Sequence, residues 1–348
     1  MFFLKIFALA VFCALFAAGC TSSGTGEGIV YAPPRADAAT LAKRSGELAA
    51  ALAPCEVRGL AFYPENLRKL HLDSPDEFLN LAGQFGFNRF YVCLTSPDSL
   101  EHPGLPVLLE AAERAGYPVE AVLPESNYVI GRRGNWLLKL FVPGGTTLEK
   151  MLEHIREFEA ESKGFRFSGI TVIAEPHLFT MSNIHRPKEQ VYAWSESTYG
   201  PGLDNDMMMK LTLDKLEAFS TMLGGTPLTV AIPDFYQELA EDGKLTCGSV
   251  EDFEKFASKV MILNAGNKPT EAIKAVRNEL RGARPDSLLV SVTLAEHTSV
   301  TTGALRRRNW TDFTRSLGHA ISDWKQSPAF DGIVLGPFSQ IETLYQEK

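Results

Sequence analysis

Eight short apolar segments alternate with amphipathic helices from residue 55 onward, and this alternation predicts an α/β fold of the closed (β/α)8 TIM-barrel type. The apolar segments are almost continuous, as in parallel strands that are buried on both faces. The alternative is an open doubly wound sheet, but the first strand-to-helix junction, 61–66, lacks the glycine-rich phosphate loop of such sheets. The strands are predicted at 57–63, 89–95, 119–123, 169–174, 228–232, 259–263, 288–293 and 332–335.

The helices between these strands are indicated by apolar residues that recur every three or four positions. After the third strand, for example, Leu148, Met151, Leu152, Ile155 and Phe158 form one apolar face. An alanine-rich stretch at 36–53 predicts one more helix before the barrel. The helices between strands are predicted at 75–84, 105–115, 147–162, 211–223, 250–257, 270–281 and 310–326.

The loops differ in length between the two ends of the predicted barrel. Helix-to-strand turns are short, whereas the strand-to-helix loops 124–146, 175–209 and 295–309 are long. Long ordered loops usually carry function, and strand-to-helix loops form the active-site face of this fold. We therefore expect a ligand-binding mouth at the carboxyl ends of the strands.

The N-terminal residues have the pattern of a bacterial export signal. Lys5 precedes an apolar run over 6–18, which is too short to span a membrane, and Gly19 and Cys20 follow. The segment 17–20, AAGC, resembles the bacterial lipobox, which implies cleavage before Cys20 and attachment of lipid to its thiol. A simple secretory signal is the alternative.

The lipobox resemblance also implies an address. It places the protein in the cell envelope, anchored in the membrane through lipid on Cys20. Thr21 rather than Asp follows the cysteine, which implies the outer membrane if the organism is a diderm. The predicted organisation is a signal peptide over 1–19, a lipidated cysteine with a flexible tether and helix over 20–54, and the barrel domain over 55–348.

The composition and motifs exclude several classes of function. Lys and Arg total 34 against 42 Asp and Glu, a formal charge of −8, and no basic stripe occurs, so we expect no nucleic-acid partner. The sequence has no GxGxxG, Walker or HExxH motif and no His-x-His in the first strand, so we expect no nucleotide cofactor and no metal. The GxSxG motif of serine hydrolases is missing as well.

The five cysteines do not form a disulfide framework. Cys13 leaves with the signal peptide and Cys20 would carry lipid, so an odd number remains. Cys93 lies within an apolar strand and is expected to be a buried thiol. The sequence leaves open whether Cys55 and Cys247 form a disulfide.

Two glutamates follow strands on the predicted mouth. Glu175 comes directly after the fourth strand and Glu296 after the seventh. In an eight-stranded barrel with strands about 4.8 Å apart, Cα atoms three strands away from each other are roughly 14 Å apart. Two inward glutamates would then bring their carboxylates to roughly 5 Å, which is the separation that retaining glycosidases require. The ordinary alternative is that each is a solvated loop charge.

This pair resembles the catalytic pair of clan-A glycoside hydrolases, which have the same (β/α)8 fold. The segment Glu175-Pro176 matches the end of their Asn-Glu-Pro motif, although Ala174 stands in place of the asparagine. By that resemblance Glu175 would be the acid/base and Glu296 the nucleophile.

A second resemblance concerns the fourth strand itself. The segment 168–175, SGITVIAE, has the spacing of the chitinase-type DGxDxDxE strand. Thr171 and Ile173 replace two of its aspartates. The substrate-assisted chemistry of that family needs the aspartate before the glutamate, so the resemblance argues for a related fold and against chitinase activity.

Further polar and aromatic residues follow the predicted strands or lie in the long loops, where they could contact a sugar. Aromatic rings stack on the C–H faces of sugars, and polar side chains orient the hydroxyl groups. Loop capping and loop packing are the ordinary alternatives for each of them. These substrate-binding candidates are His177, Asp234, Tyr236, Asn264, His297, Trp136, Trp194 and Trp310.

The sequence therefore predicts a glycoside hydrolase-like lipoprotein that acts on a glycan with two glutamates and a retaining mechanism. The alternative is a non-catalytic glycan-binding or envelope-scaffolding lipoprotein on the same barrel. Ala174, in place of the motif asparagine, favours this alternative.

Overall fold

Eight parallel strands form a closed barrel in chain order, and the last strand pairs with the first. The structure is a computed structural model that describes residues 36–67, 74–124, 147–162, 165–180, 192–263, 276–293 and 309–346, with Val129, Ile273 and Lys274. The predicted (β/α)8 barrel is confirmed. The strands are β1 (Val57–Phe62), β2 (Arg89–Cys93), β3 (Val119–Leu123), β4 (Gly169–Ile173), β5 (Leu228–Pro233), β6 (Lys259–Leu263), β7 (Leu288–Thr293) and β8 (Phe330–Gly336).

Helices surround the barrel, and most lie where the apolar periodicity predicts them. Two helices were not predicted. Helix α6 has only six residues, and α10 follows the last strand near the C-terminus. A third, α5, begins well before its predicted start at 211. The helices are α1 (Ala38–Leu52), α2 (Pro75–Gln84), α3 (Leu105–Arg114), α4 (Leu148–Glu161), α5 (Asp204–Met222), α6 (Tyr236–Glu241), α7 (Val250–Glu254), α8 (Arg277–Gly282), α9 (Trp310–Trp324) and α10 (Phe338–Gln346).

Side-chain caps explain several helix starts. The carboxylate of Asp37 accepts the backbone N–H of Thr40 at the start of α1. Asn309 accepts the backbone N–H of Asp312 in the same way at the start of α9. Each cap satisfies one backbone donor that the first turn of a helix leaves unpaired.

The strand register gives the stagger of the barrel. In-register partners lead from Phe62 on β1 through Val92 and Ala121 to Ile170 on β4. Followed through all eight strands, the register returns to β1 eight residues nearer its start, which is the shear of this fold. Two residues on neighbouring strands are therefore at the same height along the barrel axis when the residue on the later strand lies one position past the register partner of the other.

Paired charges fill the amino-terminal end of the barrel interior. Oε1 of buried Glu120 accepts a hydrogen bond from Nη1 of Arg89 at 2.6 Å, and Oε2 accepts one from the hydroxyl of Thr171 at 2.8 Å. Lys259 and Asp331 form a second pair at 2.7 Å. A buried charge is costly unless it is paired, and these are. An apolar layer lies beside them: Val57, Tyr91, Cys93, Val122, Ala231, Met261, Leu289 and Val334.

Helix α1 packs on the outer helices, mainly α9 and α10. The indole N–H of Trp310 donates to the backbone oxygen of Arg44 at 3.0 Å, and its ring packs against Phe85 and Tyr345. These rings belong to the main hydrophobic core, between the strands and the outer helices. Residues 36–347, which include α1, form one compact unit.

The cysteines of the described residues are all free thiols. Cys55 and Cys93 are buried, and Cys247 is half-buried, so no disulfide joins Cys55 to Cys247. The expected burial of Cys93 is confirmed. Among the described helices, none combines the length and the apolar character that a membrane span requires.

Candidate functional site

The candidate site lies at the carboxyl ends of β4 and β5. Of the residues that the sequence predicts for the site, the structure describes Glu175, His177, Trp194, Asp234, Tyr236 and Trp310. Glu296, Asn264, His297, Trp136 and the lipidation residue Cys20 lie outside the described residues.

Glu175 follows β4, whose side chains at positions 171 and 173 face the barrel interior. Thr171 bonds to Glu120 inside the barrel, and Ile173 packs against the interior apolar layer. Ala174 is buried in the outer core, and its backbone N–H still donates to Ala231 in strand fashion. Glu175 lies two residues past β4, as the N-cap of the 3-10 turn Pro176–Leu178, and it is half-buried at the mouth.

His177 and Tyr236 form a hydrogen-bonded pair beside this glutamate. The Tyr236 hydroxyl lies 2.8 Å from Nδ1 of His177 and accepts its backbone N–H at 3.4 Å. The buried hydroxyl needs an acceptor for its own hydrogen, and Nδ1 is the acceptor within reach among the described residues, so we infer that Nδ1 accepts and that the imidazole proton lies on Nε2. Burial lowers the pKa of His177 to about 4, so the ring is neutral at pH 7.

Tyr236 is fully buried at the start of α6. Burial raises its pKa well above the usual value, the His177 backbone N–H lowers it, and the charge of Glu175 raises it. Glu175 is the N-cap residue of the 3-10 turn Pro176–Leu178, which carries His177, so it is next to this pair along the chain. The hydroxyl stays protonated, and it is a fixed donor to His177.

Aromatic rings enclose the pair. The His177 ring is edge-on to Trp194, Phe235 and Tyr236, with centroids 5.0 to 6.4 Å apart. Tyr199 packs edge-on against Trp194 at 6.1 Å. Trp194 is 5% exposed, so most of its ring is used to pack the loop after β4 against α6.

The start of α5 holds that loop in place. The side chain of buried Asn205 bonds to both the backbone N–H and the backbone oxygen of Ser195. Asp206 accepts the backbone N–H groups of Gly202 and Thr246 and pairs with Lys210. Asn205 thus bonds α5 to the loop that carries Trp194, and Asp206 joins that loop at Gly202 to Thr246 in the turn before α7.

Asp234 follows β5 and is half-buried, and a fully buried acid, Glu279, lies on the neighbouring helix α8. Burial, with smaller contributions from the charges of Asp234, Glu241 and Glu238, raises the pKa of Glu279 on α8 to about 8. Neither carboxylate oxygen of Glu279 has a hydrogen-bond partner among the described residues. The acid lies on α8, which packs against α6.

Trp310 lies apart from the other site candidates. It is 1% exposed within the helical layer, so its ring offers no face to a ligand. The position of this residue at the end of a long loop suggested the mouth, but tertiary packing against α1 takes it into the core.

A second group of mouth residues was not singled out from the sequence. Glu65 lies in a short 3-10 turn (Pro64–Asn66) directly after β1. The hydroxyl of Thr95, after β2, donates to its Oε1 at 3.5 Å, and Thr95 lies 3.2 Å from the Ser99 hydroxyl. The signal that could have found Glu65 is the one used for Glu175: an acid that follows a strand in the inward phase.

Metal binding finds no support in the residues that the structure describes, because they contain no group of three histidine, cysteine or acidic side chains placed to hold an ion. The chemistry available to the described mouth is that of carboxylates, hydroxyls and a neutral imidazole.

Comparison with known proteins finds similarity in fold only. No family model matches the sequence, and no curated protein matches it. The spore cortex-lytic enzyme SleL of Bacillus megaterium is similar over 82% of this chain and 72% of its own, with 10% identity and a TM-score of 0.47. A GH18 chitinase of Pseudoalteromonas aurantia is similar over 82% and 97%, with 10% identity and a TM-score of 0.46.

The similarity is not confined to glycoside hydrolases. A deoxyribose phosphate aldolase of Aeropyrum pernix is similar over 89% of this chain and 97% of its own, with 10% identity and a TM-score of 0.43. The strand order of the chain shows the TIM barrel, and its structural similarity to glycoside hydrolases and to an aldolase is distant. Such a shared barrel does not identify a reaction.

Proposed function

We propose that this protein binds a glycan at the mouth of the barrel and hydrolyses it with retention, using Glu175 and Glu296. The observation that carries the proposal is the position of Glu175: it follows β4 at the mouth, half-buried, at the start of the turn that carries His177 of the His177–Tyr236 pair. This is where the fold places catalytic groups.

In the proposed mechanism Glu175 protonates the leaving glycosidic oxygen while the carboxylate of Glu296 attacks the anomeric carbon. The bond between sugar and enzyme then forms as the bond to the leaving group breaks. Glu175, now a base, takes a proton from water, which attacks the same carbon and releases Glu296. The neutral His177 adds no charge to this site, and Tyr236 holds its ring in place.

Two features of β4 support a two-carboxylate mechanism over a substrate-assisted one. The position two residues before Glu175 is Ile173, which has no carboxylate to orient an acetamido group. Thr171, at the next inward position, bonds to Glu120 and faces the barrel interior. Within the described residues β4 therefore gives Glu175 no acidic neighbour on its own strand.

The test is hydrolysis of a panel of p-nitrophenyl α- and β-glycosides of hexoses, pentoses and amino sugars by wild type, Glu175→Gln and Glu296→Gln. The control is Glu196→Gln, an exposed glutamate in the same loop as Glu175. We expect each site variant to lose at least about a hundredfold in kcat and the control to keep wild-type rates. Equal rates in wild type and Glu175→Gln would remove Glu175 from the mechanism.

Besides Ala174, a structural observation favours the non-catalytic alternative. Trp194 and Trp310, expected to stack on sugars, are used in packing. If wild type turns over no substrate of the panel but binds oligosaccharides in calorimetry, a glycan-binding role replaces the enzymatic one.

We also propose that lipid on Cys20 anchors the protein in the cell envelope. The support is the AAGC segment at 17–20 alone. Cells grown with labelled palmitate should yield labelled wild-type protein in the membrane fraction and unlabelled Cys20→Ser protein in the soluble fraction. A wild-type protein without label would contradict the anchor.

A further inference from the structure

A buried side chain of helix α5 holds the loop that comes before this helix. We propose that Asn205 is a positioning residue of the candidate site: by fixing Ser195 it keeps the Trp194 ring against the imidazole of His177, in the turn that Glu175 begins. Asn205 itself touches no substrate. This inference rests on the proposed function for what the site binds, and it adds a residue to that site.

The amide of Asn205 is fully used by the loop. Its Oδ1 accepts the backbone N–H of Ser195 at 2.9 Å and the hydroxyl of Thr198 at 2.8 Å. Its Nδ2 donates to the backbone oxygen of Ser195 at 2.7 Å. Asn205 is fully buried, and a buried amide is costly unless it is paired in this way. Shortening this side chain would leave both backbone groups of Ser195 without their partner.

These bonds do not serve the start of α5 itself. The N-cap residue of α5 is Leu203, which provides no side-chain cap. Asn205 is the second residue of the helix, and its partners lie ten and seven residues back along the chain. The residue therefore fixes the position of the loop relative to the helix.

The loop in turn is tied to the turn that carries His177. The backbone N–H of Trp194 donates to the backbone oxygen of Phe179 at 2.8 Å. Phe179 ends the 3-10 turn Pro176–Leu178, and this turn also packs against α5. The residue after Trp194 is the one that Asn205 holds, so the backbone of Trp194 is fixed from both sides.

The Trp194 ring covers the hydrogen-bonded pair of the site. Its centroid lies 6.4 Å from that of the His177 imidazole and 6.0 Å from that of the Tyr236 ring. Burial is what lowers the pKa of His177 to about 4. If the Trp194 ring moved away, water would reach the imidazole and this pKa would rise toward its ordinary value. The protonation of His177 thus reports whether the loop is in place.

A loosened loop should weaken substrate binding more than the chemical step. A wall of the mouth that must be ordered when the substrate binds costs binding free energy. Glu175 is held independently of the loop, because the preceding residue, Ala174, still donates its backbone N–H to Ala231 of β5. We therefore expect a rise in KM with a smaller change in kcat.

The experiment compares wild type, Asn205→Ala and Asp206→Asn. Asp206 is the matched control, because it is the next residue of α5 and is equally buried. Within the described residues its side chain bonds to Gly202, Thr246 and Lys210 instead. Both variants lose buried hydrogen bonds, but Asn205→Ala alone releases the backbone next to Trp194.

Three measurements are made on each protein. ¹⁵N NMR of histidine-labelled protein follows the titration of His177, whose signals are those missing in His177→Asn. Steady-state kinetics use the p-nitrophenyl glycoside that wild type cleaves best, and circular dichroism checks folding. Thr198→Val, which removes one of the two donors to Oδ1 of Asn205, is a milder second variant and decides the question if Asn205→Ala does not fold.

We expect Asn205→Ala to raise the pKa of His177 from about 4 to about 5 or higher, and to raise KM about fivefold or more with kcat within about threefold. Thr198→Val should shift both in the same direction by less. Asp206→Asn should lower stability and leave the His177 titration and KM as in wild type.

An unchanged His177 titration in folded Asn205→Ala would overturn the positioning role and leave the proposed function standing. Equal shifts in Asn205→Ala and Asp206→Asn would also overturn it, since the effect would then be a general loss of stability. If wild type cleaves no glycoside, the proposed function fails, while the His177 titration still decides the role of Asn205.

Discussion

The hydroxyl of Thr171 donates to Oε2 of Glu120 at 2.8 Å inside the barrel, and Thr229 reaches the same oxygen at 3.3 Å. Thr171 stands where the chitinase-type strand has an aspartate. The interior carboxylate comes from β3 instead, and it is neutralised by Arg89 on β2. The polar interior of this barrel thus ties β2, β3, β4 and β5 together.

Removing the Glu120 carboxylate should therefore destabilise the barrel strongly. In Glu120→Ala the Arg89 guanidinium loses its carboxylate partner, and Thr171 and Thr229 lose their acceptor. We expect a loss of about 3–5 kcal/mol in the free energy of unfolding, measured by urea titration. The exposed Glu113→Ala on α3 should change it by less than about 0.5 kcal/mol. A loss below about 1 kcal/mol for Glu120→Ala would show that the network contributes little.

The Tyr236 hydroxyl should fix the tautomer of His177. In wild type we expect the imidazole ¹⁵N shifts to show a protonated Nε2 and an unprotonated Nδ1, because Nδ1 accepts from Tyr236. Tyr236→Phe leaves that nitrogen without its partner in a buried position, and we expect a loss of about 1–2 kcal/mol in stability. A wild-type ring protonated at Nδ1 would contradict the assigned donor and acceptor.

The low pKa of His177 should make stability depend on pH in a defined window. Burial holds the folded pKa at about 4, below the ordinary 6.5, so between these values the unfolded chain takes up a proton that the folded chain excludes. This contribution is fully present above pH 6.5 and is lost as the pH falls toward 4.

His177→Asn retains an acceptor near the Nδ1 position and does not titrate. From pH 7 to pH 4 we expect the free energy of unfolding of wild type to fall by on the order of 3 kcal/mol relative to that of this variant. His154→Asn, an exposed histidine on α4, serves as the control. If both variants follow the same curve as wild type, His177 titrates normally.

The strands could be predicted closely because their signal is local. Buried parallel strands are short aliphatic runs, and β3, β6 and β7 begin and end at the predicted residues. Helix α6 was missed because six residues are too few to show a helical period. The start of α5 was missed because Asn205 and Asp206 are polar residues that bond to the preceding loop, so they interrupt the apolar pattern.

The site could be predicted only in outline. Chain order and strand ends were enough to place Glu175, His177 and Tyr236 on one side of the mouth, since β4 and β5 are neighbours. They could not indicate that Tyr236 would be fully buried and bonded to His177, or that Trp310 would pack against α1, because both depend on tertiary contacts distant in sequence.

The buried acid Glu279 should weaken the fold at alkaline pH. Its folded pKa of about 8 lies above the ordinary 4.5, because burial and the charges of Asp234, Glu241 and Glu238 oppose ionisation. The unfolded chain loses this proton first, so the stability cost grows from pH 4.5 and is complete above pH 8.

Glu279→Gln removes that ionisation. From pH 5 to pH 9 we expect the free energy of unfolding of the variant to rise by on the order of 3 kcal/mol relative to that of wild type, as measured by urea titration. The exposed Glu251→Gln on α7 should follow wild type throughout. A constant difference across this range would mean that Glu279 is ionised or protonated alike in both states.

Replacing Gly59 should destabilise the protein, because the side chains of Tyr91 and Val334 lie against it inside the barrel. A Cβ at this position would lie 2.5 Å from Cε2 of Tyr91 and 2.9 Å from Cγ2 of Val334. Tyr91 is fully buried and cannot swing away, so Gly59→Ala must displace packed groups, and we expect a loss of about 1–3 kcal/mol. Gly46, within α1, has nothing within 4 Å of its added Cβ, and Gly46→Ala should raise stability by about 0.5–1 kcal/mol. Thermal unfolding of the two variants therefore gives shifts of opposite sign, and a stabilised Gly59→Ala would mean that the Tyr91 ring does not occupy the barrel interior as described.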